Sequence, residues 1–179
     1  NKIWNTTRFI LMNLGDGFTP RDIDTSSLEP FDRWILHELN ATVTGVTKAL
    51  EEYRFNEAAH MIYDFWWHEF CDWYLELTKS RIYSGDGAST PSADTARQVL
   101  FHTLKTCLKV LHPFMPFLTE EIWERITGGS EGLMITSPWP ASDPAFSFPD
   151  DAADTTLFKE ILYRIRNIRG EMNIPPDKK

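Results

Sequence analysis

The stretch YRFNEAAHMIYDFWWHEFCDWYLELTK, residues 53–79, decides the fold. Asn56 has the side chain of a helix N-cap, and neither glycine nor proline interrupts the run that follows, to Tyr83. Counted at about 100° per residue, Ala59, Ile62, Trp66, Phe70, Trp73 and Leu77 make one stripe, with Tyr63, Trp67 and Tyr74 beside it. So wide an apolar arc predicts a helix packed on more than one side and central to its domain. The same count turns Leu75 away from the main stripe, towards His68 and Asp72.

Helical periodicity continues in both directions. Asn1 to Leu14 sets Ile3, Trp4, Thr7, Ile10, Leu11 and Leu14 on one face, and Gly15-Asp16-Gly17 stops it. After a polar loop, Ser26 and Glu29 read as a capping box for a helix reaching about Tyr53, with Phe31, Trp34, Ile35, Leu39, Val43, Val46 and Leu50 inward. The segment SGDGASTP, residues 84–91, reads as a loop. Ser92 or Asp94 then opens a helix with Val99, Leu100, Leu104, Cys107, Leu108 and Leu111 inward, and His112-Pro113 ends it. Pro116 to Thr127 reads as a short helix, with Thr119 as a cap and Gly128-Gly129 as a stop. Residues 130–149 hold four prolines and predict an extended surface segment. A last helix, from Asp151 to about Met172, is expected to bury Leu157, Phe158, Ile161, Leu162, Ile165 and Ile168. The expected fold is all-α, an up-and-down helical bundle. Residues 1–149 form the bundle, and 150–179 form the last helix and the start of a linker.

Composition narrows the function. With 42% apolar and 13% aromatic residues among 179, the chain has enough apolar side chains for a sizeable core and is not disordered. No apolar run nears the roughly 20 residues that cross a bilayer, so no membrane partner is expected. Eighteen basic against twenty-six acidic residues give −8, which excludes a wholly basic nucleic-acid coat but allows a local basic patch. Cys71 and Cys107 sit inside helical patterns and read as reduced core thiols. The sequons at Asn5 and Asn40 also fall in helices. A chain that lacks an initiator Met and opens inside a helical pattern is expected to be a piece of something longer.

No catalytic, cofactor-binding or metal site is expected. His68-Glu69-Phe70-Cys71-Asp72 half-matches a helical zinc-protease motif, but Asp72 stands where a second histidine is required. The Gly-Asp-Gly turns at 15–17 and 85–87 lack the strand–loop–helix setting of a phosphate loop. Glu51-Glu52 and Glu120-Glu121 read as solvated helix faces. The informative residue is Phe9, which the first helix's wheel sets nearly opposite its core stripe, in the company of Lys2, Asn5, Met12 and Asn13, with Arg8 at the flank. An outward ring beside cations suits single-stranded nucleic acid, with a π-face for a base and charges for phosphates. From this pattern alone, packing of Phe9 on a neighbouring protein domain comes first. Residues 1–14 carry Lys2 and Arg8 with no acid, and 157–179 carry six basic against three acidic residues, so the surface charge is segregated.

The strings NKIWNTTRFILMNL, DRWILHELN, EFCDWYLE (Glu69 to Glu76), HPFMPFLTEEIW (His112 to Trp123) and RNIRGEMNIPP follow in one order from Asn1 to Pro176. In that order they resemble the C-terminal anticodon-binding bundle of the valyl-tRNA synthetase family, a class Ia aminoacyl-tRNA synthetase bundle that the isoleucyl and leucyl families share. The resemblance implies a tRNA anticodon-recognition domain that positions valine tRNA for ATP-dependent aminoacylation by a catalytic domain outside this chain. The family's HIGH and KMSKS motifs are absent from these residues, so ATP and Mg belong to the full-length enzyme and the fragment is expected to be inactive by itself. It further implies a cytoplasmic location, and the anticodon loop and the enzyme's own catalytic and C-terminal domains as partners. The RNA-binding residues it implies are Lys2, Asn5, Arg8, Phe9 and Leu75. Valine codons begin GU, so the anticodon bases expected to be read are its adenine and its final cytosine. Two other readings stay open: a helical protein-interaction module, and the equivalent domain of an isoleucine or leucine enzyme.

Overall fold

Helices supply every regular element among the described residues, which are 1–15, 17–83 and 90–175 of a computed structural model. In chain order they are α1 (Lys2–Leu14), α2 (Pro30–Glu51), α3 (Phe55–Asp64), a π-helical stretch (Phe65–Tyr74), α4 (Leu75–Tyr83), α5 (Pro91–Leu111), α6 (Pro116–Thr127) and α7 (Pro149–Glu171). Single 3-10 turns occupy Thr25–Ser27, Met134–Thr136 and Pro144–Phe146. The all-α bundle expected from periodicity is the fold. Asp16, residues 84–89 of the expected loop and residues 176–179 lie outside the described residues.

Proline at the first turn starts α2, α5, α6 and α7, where its fixed φ is already helical and its missing N–H is not needed. That preference corrects the expected start of α2. Asp24, not Ser26, caps the first turn, and the capping box is formed by Glu29 and Asp32 around Pro30. Thr119 likewise lies inside α6, where its hydroxyl donates to the Met115 carbonyl at 2.9 Å.

The central helix is α5, which packs on α1, α2, α3, α4 and α6 and is buried almost all round from Val99 to Leu111. The helix over residues 55–83 is half of that expectation. Ile62, Trp66 and Phe70 of its main stripe are enclosed but Ala59, Trp73 and Leu77 are half-buried, and of the second stripe Tyr74 is buried while Tyr63 is exposed at 44%. Segment 130–149 runs over the surface as expected. It is tied down by Trp123 Nε1 to the Gly132 carbonyl (3.1 Å), Trp139 Nε1 to Thr47 (2.8 Å) and Asn40 to Asp143, with Met134 and Phe146 as apolar anchors.

α7 departs from expectation. Its first half docks on α2 and the π stretch, with Asp151 3.7 Å from Arg33 and the Phe158 ring against Phe31 and Trp73. Only Ala152 and Thr155 are buried there. Leu157, Ile161, Ile165 and Ile168 are all exposed, because α2 covers the face that carries Phe158 and Leu162 and leaves their neighbours uncovered.

Candidate nucleic-acid interface

α1 carries four of the five residues expected to meet RNA, and its burial pattern sets where each one points. Ile3, Thr6, Thr7 and Ile10 face the core. Thr6 lies outside the expected core stripe, but its Oγ1 is 3.4 Å from the buried Cys71 Sγ, which draws it inward. Burial raises the Cys71 thiol pKa, with partial relief from the Thr6 hydrogen bond and Lys2, so the sulfur stays protonated and is no nucleophile. Rotating the core face towards Thr6 leaves Asn5, Arg8 and Met12 as an exposed crest and makes two shoulders beside it.

One shoulder carries Lys2 and Phe9 and faces the π stretch and α4. Lys2 Nζ is 2.9 Å from Asp72 and 5.9 Å from the centre of the Trp67 ring. Trp67 in turn stacks on Tyr63 with ring centres 4.4 Å apart. Lys79 Nζ stands 5.3 Å from the centre of Phe9 and 2.6 Å from Glu76. This corrects the reading of Phe9 as nearly opposite the core. It is half-buried and packs on the core edge, because Trp4 and Leu11 proved not to centre the buried face. Its ring lies beneath the Lys79 ammonium and stays partly exposed.

Leu75 needs a larger correction, since it is buried at 8% exposure and does not point outward. The cause is the π-helical stretch immediately before it. Ile62, Trp66, Phe70, Tyr74 and Thr78 are all buried, a repeat of four. Over those sixteen residues an α-helix at about 100° each would have drifted ~160° off the face. Hydrogen bonds to the fifth residue back close wider turns and hold the stripe in register, which brings Leu75 round with it.

The other shoulder carries Trp4 and Leu11 and faces α6. There the Arg125 guanidinium lies 5.0 Å from the Trp4 ring centre while holding Glu121 at 2.6 Å. Between them opens a groove of about 430 Å³ lined by Trp4, Thr7, Arg8, Leu11, Met12 and Arg125. Arg8 makes no ion pair among the described residues. The sequence reading missed Trp67, Tyr63 and Lys79 as surface groups, although the polar company of Trp67 (His68 and Asp72) was the available sign.

No group of three His, Cys, Asp or Glu side chains among the described residues is placed to hold a metal, and no described helix is long and apolar enough to cross a membrane. What the face offers is half-open rings next to cations.

A family model described as the anticodon-binding domain of tRNA ligase matches residues 32–179. The valine–tRNA ligase of Carboxydothermus hydrogenoformans is 48% identical over 179 residues, which is 100% of this chain and 20% of that protein. That of Geobacter sulfurreducens is 49% identical over 182 residues, covering 99% of this chain and 20% of its own length. That of Bacillus subtilis is 42% identical over 179 residues, again 99% of this chain and 20% of its own length. The chain thus spans about a fifth of the relatives it matches.

Proposed function

This chain belongs to the anticodon-binding domains of the tRNA ligases, and from that premise we propose that it recognises the anticodon loop of a valine tRNA on behalf of a valine–tRNA ligase. The observation that carries the reading is the surface of α1, where the unpaired Arg8 and exposed Asn5 run between shoulders of partly open rings. Unstacked loop bases find π-faces at Phe9 and Trp67, and phosphates or base edges find donors at Lys2, Arg8 and Asn5. Leu75, buried in the core against which Phe9 packs, contributes to the fold of this face and not to contact with RNA. The adenine and final cytosine of the anticodon are the bases read.

In this reading the ligase's chemistry lies outside these residues, with ATP and Mg in its catalytic domain in the cytoplasm, and the bundle fixes where the tRNA sits. The exposed apolar side chains of α7 are the surface for contact with the rest of that ligase.

The test is a titration of the chain with a valine-tRNA anticodon stem-loop and with a stem-loop whose two target bases are exchanged. Phe9→Ala is expected to weaken cognate binding by roughly 1–3 kcal/mol. Because the ring is half-buried, the variant also loses about 1 kcal/mol of stability, so urea midpoints accompany each titration. Equal affinity for both stem-loops, or wild-type affinity in a folded Phe9→Ala, would return the face to a protein-docking role. Preference for an isoleucine or leucine anticodon would reassign the domain among the three enzymes.

A further inference from the structure

The groove on the far shoulder of α1 shares only Arg8 with that set of residues. It is mostly apolar, with Trp4, Leu11 and Met12 as walls, and its charged groups are two guanidiniums, Arg8 on the crest and Arg125 over the Trp4 ring at 5.0 Å, beside the Thr7 hydroxyl. Met12 is 72% exposed although it lines an apolar surface.

We propose that this groove is a second base-stacking subsite, which takes one unpaired nucleobase of a single-stranded RNA lying across the crest of α1. The claim rests on the anticodon-loop reading above and extends it to the opposite side of the helix. Three features favour a nucleobase over an apolar protein side chain. The walls are an indole and a thioether, flat or adaptable surfaces suited to a ring. Arg8, without a carboxylate partner among the described residues, and Arg125, which also holds Glu121, both line it, so a phosphate on either side of an inserted base meets a cation. The groove is also continuous, through Arg8, with the crest that leads to Lys2 and Phe9. A strand crossing α1 therefore meets a ring on each shoulder and an arginine between them. With few hydrogen-bonding groups in the walls, this subsite tolerates any base and adds affinity without adding to anticodon choice.

The experiment uses the 179-residue chain and stem-loops with 2-aminopurine at one loop position at a time, because the fluorescence of that base is quenched when it stacks. One loop position is expected to be quenched on binding, and to lose that quench in both Trp4→Ala and Met12→Ala but not in Phe9→Ala. Affinity should fall roughly 5- to 150-fold in Trp4→Ala with an unchanged salt slope. In Arg125→Gln both affinity and salt slope should fall. Met12→Ala guards against a Trp4 variant that fails to fold, since an exposed methionine carries little packing. Wild-type affinity in Trp4→Ala, Met12→Ala and Arg125→Gln, with every quench insensitive to Trp4 and Met12, overturns the groove subsite and leaves the Phe9 face standing. No binding of any stem-loop by the wild-type chain removes both readings together.

Discussion

Trp66 shows how one side chain can stabilise and destabilise at once. It is fully enclosed, so its ring fills space that nothing else reaches, yet its indole N–H has no hydrogen-bond partner. Trp66→Ala should therefore cost roughly 3–5 kcal/mol through the cavity it opens. Trp66→Phe keeps most of the packing and removes a buried donor whose desolvation costs about 1–3 kcal/mol, so its loss should be much the smaller. Urea midpoints of the two variants decide this, and equal losses would mean that the N–H is satisfied in solution. The burial of Trp66 was legible from periodicity because hydrophobic spacing reports a stripe's centre well. Phe9 was less so, because it lies at a stripe's edge. There, one threonine drawn inward by a cysteine sulfur moves a ring from exposed to half-buried.

Among the elements, the π stretch is what a wheel could not foresee. A fixed angle per residue reads α-helix everywhere, and residues 65–74 bond to the fifth residue instead. Helix existence and order were legible, as were the inward faces of α2 and α5, while the inward face of α7 and the register after Trp66 were not. Asp32 fixes the stretch where it ends. At the first turn of α2 its carboxylate, fully buried, accepts from the Glu29 N–H (3.0 Å), the Tyr74 hydroxyl (2.6 Å) and Arg81 Nη1 (2.7 Å). One side chain thus ties α2, the last π residue and α4. Burial, with the Asp32 charge beside it, pushes the Tyr74 hydroxyl well above its ordinary pKa, so it remains a donor at any physiological pH. Asp32→Ala leaves the Arg81 guanidinium and Tyr74 hydroxyl without their acceptor, and should cost about 3–5 kcal/mol. Removing both charges together, as Asp32→Leu with Arg81→Met, should recover much of that loss. A double variant no more stable than the single one would mean that the fold needs the ion pair itself, and the cycle is read from urea midpoints.

At the scale of the whole molecule, a chain of net charge −8 must bind a polyanion through a local surface, and the cations on α1's faces are already mostly engaged. Lys2 holds Asp72 at 2.9 Å, Lys79 holds Glu76 at 2.6 Å and Arg125 holds Glu121 at 2.6 Å. Arg8 alone among these four has no carboxylate partner among the described residues. This inventory was invisible in the sequence, because each pair but one joins residues three or four apart that read as ordinary solvated helix faces, and Lys2–Asp72 spans the fold. Each engaged lysine or arginine must exchange a carboxylate for a phosphate, so it contributes less than a full counterion's release. The slope of log K against log salt should then be only about −2 to −4, a loss of roughly 15- to 250-fold in affinity between 50 and 200 mM. Arg8→Gln should flatten the slope by about 1, the value for one phosphate contact, while Lys2→Gln should flatten it less. Asp72→Asn separates these accounts, since it removes the carboxylate that holds Lys2 and adds no charge of its own. If Lys2 reaches the loop, that variant should bind the stem-loop more tightly and show a steeper slope than wild type. Unchanged affinity in Asp72→Asn would place Lys2 outside the contact, and a wild-type slope steeper than about −6 would require a basic surface larger than α1 and its shoulders provide.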